Sequence, residues 1–352
     1  MSRLTRLERG SIALVAVLTV LAGVGDQRTW APVPRFALAT LALAGLAWLV
    51  SFATEQLGER FGPGVTGMLQ SSLGNLPELF VVIFALKQGE LVVAQTAIVG
   101  SILANALLVL GLVIVLGALR SEDGVMRFSH RLPRDTATLL LVTVFIIVLL
   151  GLSLATHDPA SHHVQAISAV GAVCLLVVYL AWVVPYLRSD QAPAGDSRAP
   201  RLTLSVTLVL LLAGGVASAF VSDWFVDALA PAISVLNLSQ AFAGLVIVAI
   251  AGNAVENVAG LVLAYKRRAD LAISVVKNSV AQIAAFLFPL LVLISFALST
   301  HLTFALAPVY IGALALSALV VWQVTGDGEA AAFEGWALVA MYVIMATLTL
   351  YE

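Results

Sequence analysis

The sequence Gly74-Asn75-Leu76-Pro77-Glu78 lies inside an apolar stretch, and a related sequence, Gly252-Asn253-Ala254-Val255-Glu256, follows it 178 residues later (256 − 78 = 178). At the same offset Ser101 corresponds to Ser279. A constant offset over this distance indicates an internal duplication. Because a carboxylate at membrane depth is costly, two at corresponding positions indicate a functional site.

Composition predicts a polytopic membrane protein of the all-α class. Hydrophobic residues make up 61% of the 352 residues and charged residues only 11%, whereas soluble domains carry roughly 25% charged residues. The apolar stretches are long enough to cross a bilayer, and they must do so as helices because coil leaves backbone groups unsatisfied in lipid. About 11 spans are predicted, near residues 10–25, 35–55, 65–86, 91–118, 136–154, 164–187, 202–221, 239–264, 270–298, 303–323 and 333–350.

The basic residues predict the orientation of these spans. With the N-terminus in the cytoplasm, 14 of the 18 lysines and arginines fall on the cytoplasmic side and three on the opposite side, as the positive-inside rule expects. The remaining one, Lys277, lies within a span. The first span also resembles a signal peptide, but no small-residue cleavage site precedes Asp26, which favours a retained helix. We expect an integral protein of a bacterial inner membrane, with the C-terminus opposite the cytoplasm.

Eleven helices divide into one helix plus two halves of five, and halves with an odd number of helices have inverted topology. We expect an N-terminal extra helix at 1–30, a first repeat at 31–187 and a second repeat at 202–352. The segment between the repeats, 188–201, is polar and contains proline and glycine. It is predicted to be a cytoplasmic linker.

Oxygen-bearing side chains recur in both motifs. Asn75 lies three residues before Glu78, so both share one helix face, and Asn253 and Glu256 repeat this spacing. Pro77 lacks an N–H and is expected to bend its helix and free a backbone carbonyl. The following spans add the hydroxyl or amide oxygens of Ser101, Asn105, Ser279 and Gln282.

This set of oxygens suits a hard cation such as Ca²⁺ and suits a soft metal poorly. Two desolvated carboxylates without a cation prefer to be protonated. One divalent cation or two protons would therefore occupy the site in turn. The alternative interpretation is that Glu78 and Glu256 are structural groups, protonated or hydrogen-bonded between helices.

Both motifs resemble those of the calcium/proton exchangers, a family within the Ca²⁺/cation antiporter superfamily. The first signature is similar to Gly74-Asn75-Leu76-Pro77-Glu78-Leu79 with Gly100-Ser101-Ile102-Leu103-Ala104-Asn105. The second is similar to Gly252-Asn253-Ala254-Val255-Glu256 with Ser279 and Gln282-Ile283.

The resemblance implies a secondary antiporter that exports Ca²⁺ from the cytosol against protons, with no cofactor. Glu78 and Glu256 would bind Ca²⁺ and H⁺ alternately, and the second and seventh helices would open one side at a time. The expected partners are the two ions and the lipid bilayer, with no nucleic acid. Supporting polar groups would be Asn75, Asn253, Ser101, Ser279, Gln282 and Asn105.

Three residues depart from the family pattern and are candidate modulators of ion choice. Asn257 replaces a histidine, and Asn278 replaces a glycine. Lys277 immediately precedes Asn278 and is expected to point away from the ligand face, with its ammonium at the cytoplasmic interface or in an ion pair. The alternative is that it turns towards Glu78 or Glu256, where it would disfavour Ca²⁺.

Other function classes fit the sequence less well. A divergent antiporter for Na⁺/Ca²⁺, Mg²⁺/H⁺ or monovalent cation/H⁺ exchange is the main alternative. A channel is disfavoured because two acidic residues in inverted halves do not form a pore ring. No enzyme is expected, since neither a His-Glu-x-x-His sequence nor a Walker-type glycine loop is present.

Overall fold

The computed structural model describes residues 4–58, 73–129, 131–188 and 201–352, and describes the backbone alone at 131–134, 186–188 and 255–256. Helices dominate both halves of this part of the chain. The first half contains α1 (Arg6–Gln27), α2 (Pro32–Gly58), α3 (Leu76–Lys87), α4 (Leu91–Leu119), α5 (Arg131–Thr156) and α6 (Val164–Arg188). The second contains α7 (Leu204–Leu236), α8 (Gln240–Gly252), α9 (Ala254–Tyr265), α10 (Ala269–Ser295), α11 (Pro308–Thr325) and α12 (Ala332–Leu350).

Nine of the described helices are long and apolar enough to cross a bilayer, and α8 with α9 forms a tenth candidate span bent by 58°. The third predicted span, 65–86, lies partly outside the described residues, where α3 covers its final part. The seventh predicted span was too short. Helix α7 continues past residue 221 to Leu236 because its apolar residues there recur at helical spacing and bury one face, with Phe225, Leu229 and Ile233 all buried. In this part Asp227 accepts a hydrogen bond from the Gln88 side chain at 2.6 Å.

The internal duplication is visible in the helix boundaries. Helices α3 and α9 have 12 residues each and begin 178 residues apart (254 − 76 = 178). Helices α4 and α10 begin at the same offset, at Leu91 and Ala269. Each of these two contains one π-helical turn, Ala104–Val109 in α4 and Ile283–Leu287 in α10. A third π-helical turn, Ala243–Val248, lies in α8.

The two halves exchange their last helices. Helix α12 packs along the second part of α4, and α6 packs against the end of α10. Small residues allow the first of these contacts: a Cβ atom built on Gly111 would lie 2.6 Å from the carbonyl oxygen of Gly335. Each half therefore completes the buried core of the other.

Helices α1, α2 and α7 form a group beside this core. Helix α2 packs along α7, and a Cβ atom on Gly214 would lie 2.9 Å from Cγ2 of Val50. Ion pairs hold both ends of α1: Asp26 pairs with Arg35 of α2, and Glu8 lies 2.8 Å from Arg201, just before α7. The extra helix is thus attached to α2 and to the start of the second half.

A short antiparallel sheet joins two loops on one side of the molecule. Strand β1 (Val125–Arg127) follows α4 and pairs with β2 (Glu329–Ala331), which precedes α12. Arg127 lies 2.6 Å from Asp123 and 3.7 Å from Glu329. Strand pairing requires both loops to lie on the same side of the membrane, as the predicted topology has them.

Candidate ion-binding site

The two sequence motifs form corresponding breaks in the helices. Asn75 immediately precedes α3 with φ −84° and ψ 6°, and Asn253 precedes α9 with φ −104° and ψ 17°. Pro77 lies in the first turn of α3, where a missing N–H costs nothing because first-turn N–H groups lack helical partners. Pro77 therefore helps to begin a new helix, and the break itself falls at Asn75.

The breaks bring the two motifs into contact. Glu78 is 1% exposed, and its Cβ would lie 3.7 Å from a Cβ atom built on Gly252. Asn253 of the second motif donates a hydrogen bond from Nδ2 to Oγ of Ser101 on α4 at 2.9 Å. The structure thus places three predicted site residues, one pair of them hydrogen-bonded, at the meeting point of the two halves.

The side-chain amides near the breaks donate to neighbouring oxygens and leave their own oxygens free. Asn105 donates from Nδ2 to the carbonyl of Ser101 at 3.0 Å, and Asn253 also donates to the carbonyl of Ala249 at 2.9 Å. Among the described residues, seven buried side-chain oxygens of the predicted set have no hydrogen-bond partner: Asn75 Oδ1, Asn105 Oδ1, Asn253 Oδ1, Asn257 Oδ1, Asn278 Oδ1, Ser279 Oγ and Gln282 Oε1.

Buried acceptors without donors are costly to a protein unless something else satisfies them. Neutral amide and hydroxyl oxygens beside a buried carboxylate match the ligands of hard cations. Within the described part of the chain, no group of three or more His, Cys, Asp or Glu side chains could hold a metal. The neutral oxygens are therefore candidates to complete, beside carboxylates, the coordination of a hard cation.

Glu256 falls outside the described side chains, although its backbone lies in α9. It is the third residue of α9, as Glu78 is the third residue of α3. The equal lengths and offset of these helices give the two glutamates corresponding backbone positions. The predicted role of the Glu256 side chain stays a prediction.

Lys277 differs from its predicted position. Its side chain is 1% exposed, so the ammonium does not reach the interface. Instead, Nζ donates a hydrogen bond to Oγ1 of Thr325 at the end of α11, at 3.2 Å. No ion pair to Lys277 is found among the described side chains, which exclude Glu256. The prediction of an interfacial ammonium is wrong because α5 and α9 pack against the first part of α10, where the Lys277 side chain is buried.

Two contacts of the site have no signal in the sequence motifs. Ser222 of α7 donates from Oγ to the carbonyl of Pro77 at 3.4 Å, which links α7 to the first break. Tyr179 of α6 lies with its hydroxyl beside the Gln282 side chain. Tyr179 lies in the predicted sixth span and Ser222 just past the predicted seventh, and neither belongs to a motif, so only the tertiary structure identifies them.

Comparison with known proteins supports the same architecture. The family model described as sodium/calcium exchanger protein matches residues 32–186 and 206–351. A vacuolar calcium ion transporter of Schizosaccharomyces pombe is 33% identical, with 96% of this chain and 84% of that protein covered. A Ca²⁺/H⁺ antiporter of Synechocystis is 31% identical, with 90% and 91% covered.

A solved structure extends the similarity to three dimensions. The crystal structure of the Ca²⁺/H⁺ antiporter YfkE superposes on this structure with a TM-score of 0.81. The match covers 98% of this chain and 100% of the YfkE chain, and the two sequences are 26% identical. The fold prediction of an all-α membrane protein with inverted repeats is confirmed, and so is the resemblance drawn from the two motifs. The chain belongs to the sodium/calcium exchanger protein family.

Proposed function

We propose that this protein exchanges Ca²⁺ for H⁺ across a membrane by alternating access. The observation that carries the proposal is the contact between the two motifs, where buried Glu78 lies against Gly252 and Ser101 bonds Asn253. Asn75 Oδ1 and Asn253 Oδ1, which belong to the same two motifs, are buried without a hydrogen-bond partner. Relatives named as calcium transporters and Ca²⁺/H⁺ antiporters match nearly the whole chain.

In this mechanism Glu78 and Glu256 bind either one Ca²⁺ or protons. A divalent cation in a region of low dielectric needs compensating charge, and protonation removes that charge. Each ion therefore displaces the other from a single site. Neutral oxygens complete the coordination of the cation, and their proposed sources are Asn75, Asn253, Ser101, Ser279, Gln282 and Asn105.

Helices α2 and α7 are the proposed gating elements. They pack along one another, α2 contacts α8 and α9, and Ser222 of α7 bonds the carbonyl of Pro77 beside Glu78. A tilt of this pair would change access to the site without rebuilding it. We place the protein in a bacterial inner membrane with the N-terminus in the cytoplasm, which the distribution of lysine and arginine supports.

Uptake into proteoliposomes tests the exchange reaction. A proton gradient should drive ⁴⁵Ca²⁺ uptake by the wild-type protein, whereas Glu78→Gln and Glu256→Gln should each reduce uptake to the level of empty vesicles. Each change keeps the size of the side chain and removes its charge. Glu122→Gln in an exposed loop is the matched control and should transport normally. Uptake driven by a Na⁺ gradient, with none driven by protons, would overturn the proposal.

Competition between the two ions gives a second test. Because both occupy the same carboxylates, the apparent Kd for Ca²⁺ should rise as pH falls, while the number of bound ions per protein at saturation stays constant. Titration calorimetry of the purified protein at several pH values measures both quantities. A Kd independent of pH would mean that protons use another path.

A further inference from the structure

Tyr179 belongs to a small buried cluster that is separate from the main core. It lies on α6 with 2% of its surface exposed, and its ring stacks on Phe286 at a centroid distance of 5.2 Å. Ala281 and Ala285 of α10 belong to the same cluster. Ala281 immediately precedes Gln282, and Ala285 follows it by three residues. The cluster therefore packs against the part of α10 that contains this predicted ligand.

The Tyr179 hydroxyl is close to the Gln282 side chain, yet its oxygen forms no hydrogen bond of ordinary geometry with any described residue. Oε1 of Gln282 is also buried without a partner, in a residue that is 4% exposed. A phenol placed in an apolar cluster normally finds a partner for its hydroxyl. The Tyr179 hydroxyl and the Oε1 atom of Gln282 are thus both buried without a hydrogen-bond partner.

Gln282 needs an orienting neighbour more than the other predicted ligands do. It is the last residue before the π-helical turn Ile283–Leu287, and its side chain has three rotatable bonds. Its amide must present oxygen, and not the NH₂ group, to a cation. The backbone of this turn is already held from α5, where Thr143 donates to the carbonyl of Ala284 at 3.1 Å.

We propose that Tyr179 is a positioning residue that orients the Gln282 amide so that Oε1 faces the transported cation. With the amide NH₂ directed at the phenol oxygen, Oε1 points away from α6. A residue of α6, in the first half, would then set the orientation of a cation ligand in the second half. The inference rests on the proposed function, since it requires a bound cation.

Binding measurements on a double-mutant cycle test this role. Tyr179→Phe removes only the hydroxyl, and we expect it to raise the Kd for Ca²⁺ about tenfold, the effect of losing about one buried hydrogen bond. In a Gln282→Met background the same change should alter the Kd less than about twofold, because the group to be oriented is gone. Tyr310→Phe is the control, since it deletes another buried phenol hydroxyl, one that bonds Glu352.

The melting temperature of the ion-free protein separates positioning from packing. It should be nearly unchanged in Tyr179→Phe, because the ring and its stacking remain. An unchanged Kd in Tyr179→Phe, or an equal effect with and without Gln282, would overturn the inference while leaving the exchange mechanism intact. Absence of Ca²⁺ binding by the wild-type protein would instead overturn the proposed function, and the role of Tyr179 with it.

Discussion

Lys277 and Thr325 form a buried polar pair in the second half of the chain, whereas the first half has apolar residues at the equivalent positions. At the offset of 178, Lys277 corresponds to Val99 (277 − 178 = 99) and Thr325 to Ile147 (325 − 178 = 147). Val99 and Ile147 are both fully buried. Packing of this fold therefore does not require an ammonium at this place.

Lys277→Met is expected to stabilise the protein and to leave transport near the wild-type rate. The change removes a buried polar group whose burial costs about 1–3 kcal/mol, and Thr325 keeps its own bond to the carbonyl of Val321 at 2.7 Å. Thermal unfolding in detergent and ⁴⁵Ca²⁺ uptake measure the two effects. Lys87→Met, at an exposed lysine, is the control. A loss of transport or a change of ion would show that Lys277 takes part in ion selection.

Residue positions were predictable where the duplication constrains them. The spacing of Asn253 and its equivalence to Asn75 predict a place in the site, and the structure places its Nδ2 atom 2.9 Å from Oγ of Ser101. The position of the Lys277 ammonium was not predictable. Its direction depends on how α5 and α9 pack against α10 and on the position of Thr325, and no local pattern records these tertiary contacts.

Helices α4 and α8 touch backbone to backbone through two glycines. A Cβ atom on Gly100 would lie 2.5 Å from Cα of Leu245, and one on Gly244 would lie 3.0 Å from the carbonyl oxygen of Val93. This approach lies one residue from Ser101, which bonds Asn253. Close packing of two helices here sets the distance between the two motifs.

Gly100→Ala should lower both stability and transport. The added methyl group has only backbone to displace, so we expect a loss of about 1–3 kcal/mol, typical of overpacking, and weaker Ca²⁺ binding because Ser101 moves away from Asn253. Unfolding and binding measurements test this. Gly312→Ala adds the same methyl group where nothing lies within 4 Å and should behave as wild type. Equal behaviour of the two variants would contradict a close contact at Gly100.

Helix identities followed from hydropathy, but two features of the helices did not. The seventh span was predicted to end near residue 221, whereas α7 continues to Leu236 and Asp227 within it accepts a hydrogen bond from the Gln88 side chain. The π-helical turns have no compositional signal. One additional residue in a turn does not alter the hydropathy of an apolar span, so the sequence does not indicate where the turn lies.

Over the whole molecule, the helices form two groups. One group contains α2 and α7, and the other contains the helices that form the ion site. Helix α2 has its most extensive contacts with α7. Helix α1 is paired by charge to α2 and to Arg201 beside the start of α7. These three helices are therefore expected to move as one body during transport.

A disulfide between α2 and α7 tests this expectation. In a Cys174→Ser background, Val50→Cys with Gly214→Cys places two sulfurs within bonding range, since a Cβ atom on Gly214 would lie 2.9 Å from Cγ2 of Val50. Oxidation should cross-link the helices and leave most of the Ca²⁺ uptake intact. Each single cysteine, and the reduced pair, serve as controls. If oxidation stops transport and reduction restores it, the two helices slide past each other.

The π-helical turn in α4 lies between Ser101, which accepts a hydrogen bond from Asn253, and Gly111, which contacts Gly335. Such a turn holds one residue more than an α-helical turn and absorbs it locally, so the regular helix on either side keeps its register. Deletion of one residue of the turn other than Asn105 would close it into regular helix and leave Ser101 and Gly111 facing their present partners. The same deletion in the regular helix beyond the turn would rotate everything past it by about 100°. The turn is therefore a place where α4 tolerates a change in length.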